Sequence, residues 1–176
     1  MTSVMKQIKI EKVTLNCGCG TDHDRLEKSV KLLEQITKRK VVKTKTQLRV
    51  AQWSLRKGLP IGTKVTVRSN DAIELAKRLL VAKDNKLGKN NFDTNGNVSF
   101  GINECIDIPG VEYDPKIGII GLQVCITLAR PGNRVKSRMY KPAKLGTAQK
   151  ITQDDAIAYM QETFGVELLQ EEIEEE

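Results

Sequence analysis

A period-two alternation of apolar and polar residues recurs three times in this chain and restricts its fold more than any other feature. From Ile8 to Cys17, Val13, Leu15 and Cys17 fall on one side and Lys12, Thr14 and Asn16 on the other. Thr63 to Arg68 repeats the pattern, with Val65 and Val67 set against Lys64, Thr66 and Arg68. Ile117 to Ala129 is the longest such run, placing Ile120, Leu122, Val124, Ile126 and Leu128 together. Successive side chains of a strand point to opposite faces, so each run predicts a strand with one buried and one polar face. That alternation suits an antiparallel sheet covered on one side, because a parallel sheet buries both.

The cover is legible as helices. Leu26, Val30, Leu33 and Ile36 predict a helix from about Asp24 to Lys38, with Thr21 and Asp24 spaced as a capping box. Ile73, Ala76, Leu79 and Leu80 predict a second from about Asp71 to Lys83. A third starts at Thr152, capped with Asp155, buries Ile157, Met160 and Phe164, and stops at Gly165. Val41 to Arg49 reads as a strand leading into an irregular segment, Val50 to Gly62. Asn95-Gly96 marks a tight turn before a strand from Asn97 to about Ile102. Three helices and five or six strands in irregular order predict an α+β fold, a mostly antiparallel sheet with helices packed on one face and protruding basic loops. Residues 1–168 are expected to form a single domain, and 169–176 an acidic disordered tail, since a run of like charge cannot bury itself.

Charge is segregated along the chain. Gln35 to Asn70 holds ten Lys or Arg and no acid, and seven more cations lie between Arg130 and Lys150 with none. All 29 basic residues lie in residues 1–150 beside thirteen of the 22 acids, so that stretch carries +16 although the whole chain carries +7. Crowded cations repel one another unless a polyanion lies over them, and nucleic acid is the commonest polyanion that rewards the pattern. The bland alternative is a solvated basic surface. The polar sides of the strands offer hydroxyls, amides and cations together, which suits a sugar–phosphate backbone. An ordinary solvent-facing sheet would look similar.

Other chemistries find less support. Gly18-Cys19-Gly20 after a strand superficially resembles a dinucleotide fingerprint, but His23 stands where the third glycine belongs and Lys38-Arg39-Lys40 where a ribose-binding acid should be. Those glycines could still present backbone N–H groups to a phosphate. His23, the one histidine, reads as a solvated neighbour of a helix cap. Asp107, Glu112 and Asp114 have no catalytic partner. Cys17, Cys19, Cys105 and Cys125 have neither zinc nor disulfide spacing and read as reduced, partly buried thiols. No catalytic residue, metal or cofactor is expected, and no run of 18 apolar residues exists to cross a membrane. Trp53, the only tryptophan, sits among Arg49, Arg56 and Lys57, where it can stack on a base or fold back onto the core.

Four stretches carry a family likeness: K-V-T-L-N (Lys12 to Asn16) with its G-x-G, R-K-G-L-P-I-G-T-K-V-T-V-R (Arg56 to Arg68), F-D-T-N-G-N-V-S-F-G-I (Phe92 to Ile102) and D-I-P-G-V-E-Y-D-P (Asp107 to Pro115). In this order, across about residues 5–168, they resemble the large-subunit ribosomal protein family called L-five. The basic loop Arg130 to Lys150 is similar to that of its archaeal and eukaryotic branch. The resemblance implies a cytoplasmic, ribosomal protein of the central protuberance with 5S rRNA and large-subunit rRNA as partners. It implies 5S contacts at Lys12, Asn16, Thr66 and Arg68, with Arg39, Lys40, Thr44 and Lys45 beside them. It further implies a loop at about Val50 to Leu59, with Arg49, Trp53, Arg56 and Lys57, facing peptidyl-site tRNA, and a bridge to a small-subunit head protein. That loop is expected to be mobile in the free protein. Arg134, Lys136, Arg138, Lys141 and Lys144 make up the basic loop, whose partner, RNA or protein, stays open. A transient RNA-binding assembly factor or RNA chaperone is the alternative function.

Overall fold

The computed structural model describes residues 4–111 and 113–169. The expected acidic tail lies outside them except for Leu169, and so does Glu112. In chain order the elements are β1 (Lys9–Gly18), α1 (His23–Thr37), β2 (Val42–Lys45), β3 (Pro60–Val67), α2 (Asn70–Val81), β4 (Lys86–Gly88), β5 (Asn97–Ile102), β6 (Leu122–Ala129), the single-turn α3 (Arg134–Ser137), α4 (Gln153–Phe164) and β7 (Glu167–Leu169). Five strands form a mostly antiparallel sheet in the order β2-β3-β1-β6-β5, while β4 and β7 make a separate parallel pair. The fold is α+β. The β4–β7 pair and α3 went unpredicted because elements of three or four residues are too short to show a period.

Contacts divide the chain into two compact units, one of residues 14–67 and 101–124, the other of residues 1–13, 68–100 and 125–176. In the first, which holds α1, the inward residues Leu15, Cys17 and Val65 are buried, as are Leu26, Leu32, Leu33 and Ile36 of the helix. Each such side chain contributes roughly 1.5–3 kcal/mol on burial. The expected Val30 is only half-buried. Ser29 is buried instead, because its hydroxyl donates to Leu26 O at 2.8 Å and accepts from Thr63 Oγ1 at 3.0 Å and Cys19 Sγ at 3.2 Å. The cap of α1 is Asp22, whose carboxylate accepts from the N–H groups of Asp24 and Arg25, not Thr21. Either residue offers a side-chain oxygen near the helix start, so spacing alone did not decide. β6 begins at Leu122 rather than Ile117, and Gly121 before it lies against the carbonyls of Ile102 and Asn103, where a Cβ would sit 3.0–3.2 Å away. The ten-residue β1 is therefore the longest strand.

In the unit that holds α4, Leu75, Leu79, Leu80, Leu87, Val98, Phe100, Ile126, Leu128 and Met160 are buried. Ile73 is exposed, while Ala72 and Leu75 join the expected Ala76, Leu79 and Leu80 in the buried stripe of α2. The predicted capping box of α4 is present, with Thr152 and Asp155 satisfying each other's backbone, and Gly165 closes the helix in the left-handed region at φ 65°. Ile157 and Phe164 are half-buried rather than core, and Ala156 is buried beside Met160. Asp93 organises the Asn95-Gly96 turn by accepting from the side chains of Asn97 and Asn95, which holds its carboxyl below the usual range.

Candidate nucleic-acid interface

In the α1 unit the polar side of the sheet is built by alternation. Thr14 and Asn16 of β1 and Thr66 of β3 are half-buried, Lys64 is exposed, and every neighbour between them along each strand points into the core. Asn16 Nδ2 donates to Gln123 Oε1 of β6 at 2.9 Å, which orients both amides. Thr44 of β2 lies opposite Gly62 of β3, with Val42 opposite Lys64. Gly62 has no room for a side chain: a Cβ would stand 2.8 Å from Cys17 O and 3.0 Å from Thr44 Oγ1. This close approach brings the Thr44 hydroxyl onto the same side as Thr66. Lys45 is exposed at the irregularity where the β2–β3 pairing shifts register. Arg39 and Lys40 are exposed just past α1, on a connection rather than on the sheet.

Beyond β2 the chain is not irregular as the composition suggested. Thr46 N–H donates to Leu59 O at 2.9 Å, Gly58 N–H to Thr46 O at 2.9 Å, and Val50 and Leu55 exchange both backbone bonds at 3.2 and 3.0 Å. A hydrogen-bonded hairpin results, tipped by the short turn Ala51–Trp53. Trp53 is 68% exposed, as is Leu48 at 75%, so Trp53 does not fold back onto the core. Arg49, Arg56 and Lys57 are exposed alongside. Glycine at 58 adopts φ 88°, a conformation that lets the backbone close there.

Lys12 and Arg68 belong to the α4 unit. Arg68 faces Glu11 at 3.6 Å, so part of its charge is already answered. The basic loop, expected to protrude, is tethered at both ends. Arg130 spans its return limb, donating to Ala148 O at 2.9 Å and Lys150 O at 3.2 Å, and pairs with Asp155 at 2.9 Å. Ala143 N–H donates to Val135 O at 3.2 Å, and Gln149 reaches the carbonyls of Pro131 and Met5. Between this loop and the strands of its own unit runs a groove of about 1120 Å³. Lys12, Lys136, Lys144 and Lys150 line it, Lys150 joining them although the named basic-loop set ended at Lys144. Arg134 lies instead beside Lys9 and Pro131, and Arg138 is turned to the Lys141 carbonyl at 2.8 Å. Lys141 sits 5.3 Å from the centre of the Tyr140 ring.

Cys17, Cys19 and Cys105 are buried, but Cys125 is exposed, not partly buried as expected, because it follows Gln123 on the outward side of β6. Burial first, and then Cys19 beside it, push the Cys17 thiol up to about 12. It is therefore protonated and inert at neutral pH. The Cys19 N–H is taken by Ile61 O at 2.9 Å, so it is not offered to a phosphate. Among the described residues no three His, Cys, Asp or Glu side chains gather to hold a metal. No helix among them is long and apolar enough to cross a membrane.

The class that fold and site define is an α+β protein whose helix-backed sheet carries hydroxyls, amides and clustered cations on its outer side, a surface suited to a polyanion. Residues 3–56 match the family model described as ribosomal protein L5, and residues 60–159 match the model of that family's C-terminus. The chain is similar to large ribosomal subunit protein uL5 of Nanoarchaeum equitans, 45% identical over 96% of this chain and 100% of the relative. It is likewise similar to uL5 of Sulfolobus acidocaldarius, at 42% over 96% and 94%, and of Nitrosopumilus maritimus, at 46% over 93% and 95%. The chain belongs to the ribosomal protein L5 family. Its place is thus the ribosome, in the cytoplasm, as a structural component.

Proposed function

We propose that this protein is a constituent of the large ribosomal subunit that binds 5S rRNA through the polar side of its sheet. The observation that carries the reading is the oriented set Thr14, Asn16, Thr66 and Gln123, uncharged hydrogen-bonding groups held among cations. Hydroxyls and amides at fixed positions read riboses and bases, while Lys64 and Lys45 meet phosphates and give the affinity its salt dependence. The exposed Trp53 hairpin faces peptidyl-site tRNA, and another surface bridges to a small-subunit head protein. The relatives' names favour an integral subunit component over a transient assembly factor.

The double variant Asn16→Ala with Thr66→Ala removes hydrogen bonds without removing charge. With each bond worth roughly 0.5–1.5 kcal/mol, it should weaken 5S rRNA binding about tenfold at physiological salt and leave an unrelated structured RNA unaffected. Filter-binding titrations against both RNAs measure this. Unchanged affinity and selectivity would remove the face from the 5S interface.

A further inference from the structure

We propose that the acidic C-terminal residues 171–176 occupy the lysine-lined groove of their own unit in the free protein, and must be displaced before any other polyanion enters it. The inference rests on charge and on where the chain leaves β7, and is independent of which RNA the protein binds. Glu171, Glu172, Glu174, Glu175 and Glu176 place five carboxylates in six residues with no cation among them. The groove, of about 1120 Å³, holds the opposite charge on Lys136, Lys144 and Lys150 of the basic loop and Lys12 of β1. Its one acid, Glu11, is engaged by Asn133 Nδ2 at 3.0 Å and by Arg68 at 3.6 Å. Among the described residues none of the four lysines is ion-paired.

The path of the chain brings the two together. β7 runs parallel to β4 with Leu169 opposite Gly88, so the chain leaves β7 heading toward Lys89–Phe92. Gln153 Nε2 donates to the carbonyls of Lys89 and Phe92 at 3.2 and 3.1 Å. Ile151 and Thr152, directly before Gln153, line the groove together with Lys150. The exit from β7 therefore lies toward the α4 end of the groove. Seven residues follow Leu169, and fully extended they reach about 23–25 Å, enough to run along the lysines. β7, α4 and the basic loop belong to one compact unit, so the carboxylates are tethered near the groove at an effective concentration of about millimolar. Such a contact holds off loosely bound polyanions and yields to salt.

The test uses the full chain and the variant Glu171→Gln/Glu172→Gln/Glu174→Gln/Glu175→Gln/Glu176→Gln, which keeps length and side-chain size. Carbodiimide joins a carboxylate to a lysine amine only where the two meet. In wild-type monomer at low salt it should link residues 171–176 to Lys136, Lys144 or Lys150, as fragment mass spectrometry of the joined peptides would show. Inorganic polyphosphate is the probe polyanion. It should bind the glutamine variant about tenfold more tightly than wild type at low salt, and equally at high salt. In a Lys136→Gln/Lys144→Gln/Lys150→Gln background the same five changes should shift that affinity by less than about twofold. Links confined to Lys83, Lys86 and Lys89, links only between molecules, or no links at all would overturn the inference, as would equal affinities at low salt. A tenfold gain that persists without the three lysines would overturn it in favour of general charge repulsion. None of these results bears on the 5S reading, which the Asn16 and Thr66 variant tests separately.

Discussion

Gly96→Ala is expected to lower the stability of this protein by about 3 kcal/mol, a drop of roughly 6–12 °C in Tm for a chain of this length. Two costs add. Gly96 has φ 75°, where an L side chain loses roughly 1–2 kcal/mol. A Cβ there would also stand 2.5 Å from Ile151 Cγ2 and 2.9 Å from Ile151 Cβ, and Ile151 is 6% exposed, so it cannot swing away. Ile151 directly precedes the Thr152 cap, so the strain reaches the start of α4. Gly20→Ala is the control, since Gly20 has φ 65° but nothing within 4 Å of a Cβ, and should cost only the backbone penalty. Urea unfolding of both variants decides the matter; equal losses would mean that the Ile151 contact contributes nothing.

The second large effect belongs to the hairpin tip. Trp53→Ala/Arg56→Ala/Lys57→Ala removes one exposed aromatic and two exposed cations from a hairpin closed by backbone bonds at Thr46, Val50, Leu55 and Leu59. Because those bonds do not depend on the three side chains, the fold and 5S binding should survive. A stacked base is worth roughly 1–3 kcal/mol, so tRNA retention in the peptidyl site should fall at least tenfold. Toeprinting and filter retention on reconstituted ribosomes measure it. A variant that loses 5S rRNA and keeps normal tRNA occupancy would show that the two surfaces are assigned the wrong way round.

Where the sequence was readable, the period was long and the chemistry local. The strands around Leu15, Val65 and Val124 and the Thr152–Asp155 cap follow from alternation and spacing alone. Val30 and Ile73 were misjudged because burial on each helix depends on tertiary partners, the Thr63 hydroxyl that bonds the buried Ser29 on α1 and the packing of α2. The set Lys12, Asn16, Thr66 and Arg68 illustrates the same limit at the candidate site. Period two predicted that all four leave the core, but not that Arg68 meets Glu11, nor that Lys12 joins a groove with Lys136, Lys144 and Lys150. That groove depends on Arg130 reaching Asp155 across 25 positions of sequence, a contact no local pattern announces.

Cys125 offers the most direct test of the sheet face. It is exposed on β6, two positions after Gln123 on the same side, while Cys17, Cys19 and Cys105 are buried. In the free native protein iodoacetamide should therefore alkylate Cys125 alone, as mass spectrometry of the peptides would show. With 5S rRNA at saturation over that face, the alkylation rate of Cys125 should fall at least tenfold, and an unrelated structured RNA at the same concentration should leave it unchanged. Full 5S occupancy with Cys125 reacting at its free rate would contradict binding through the polar side of the sheet.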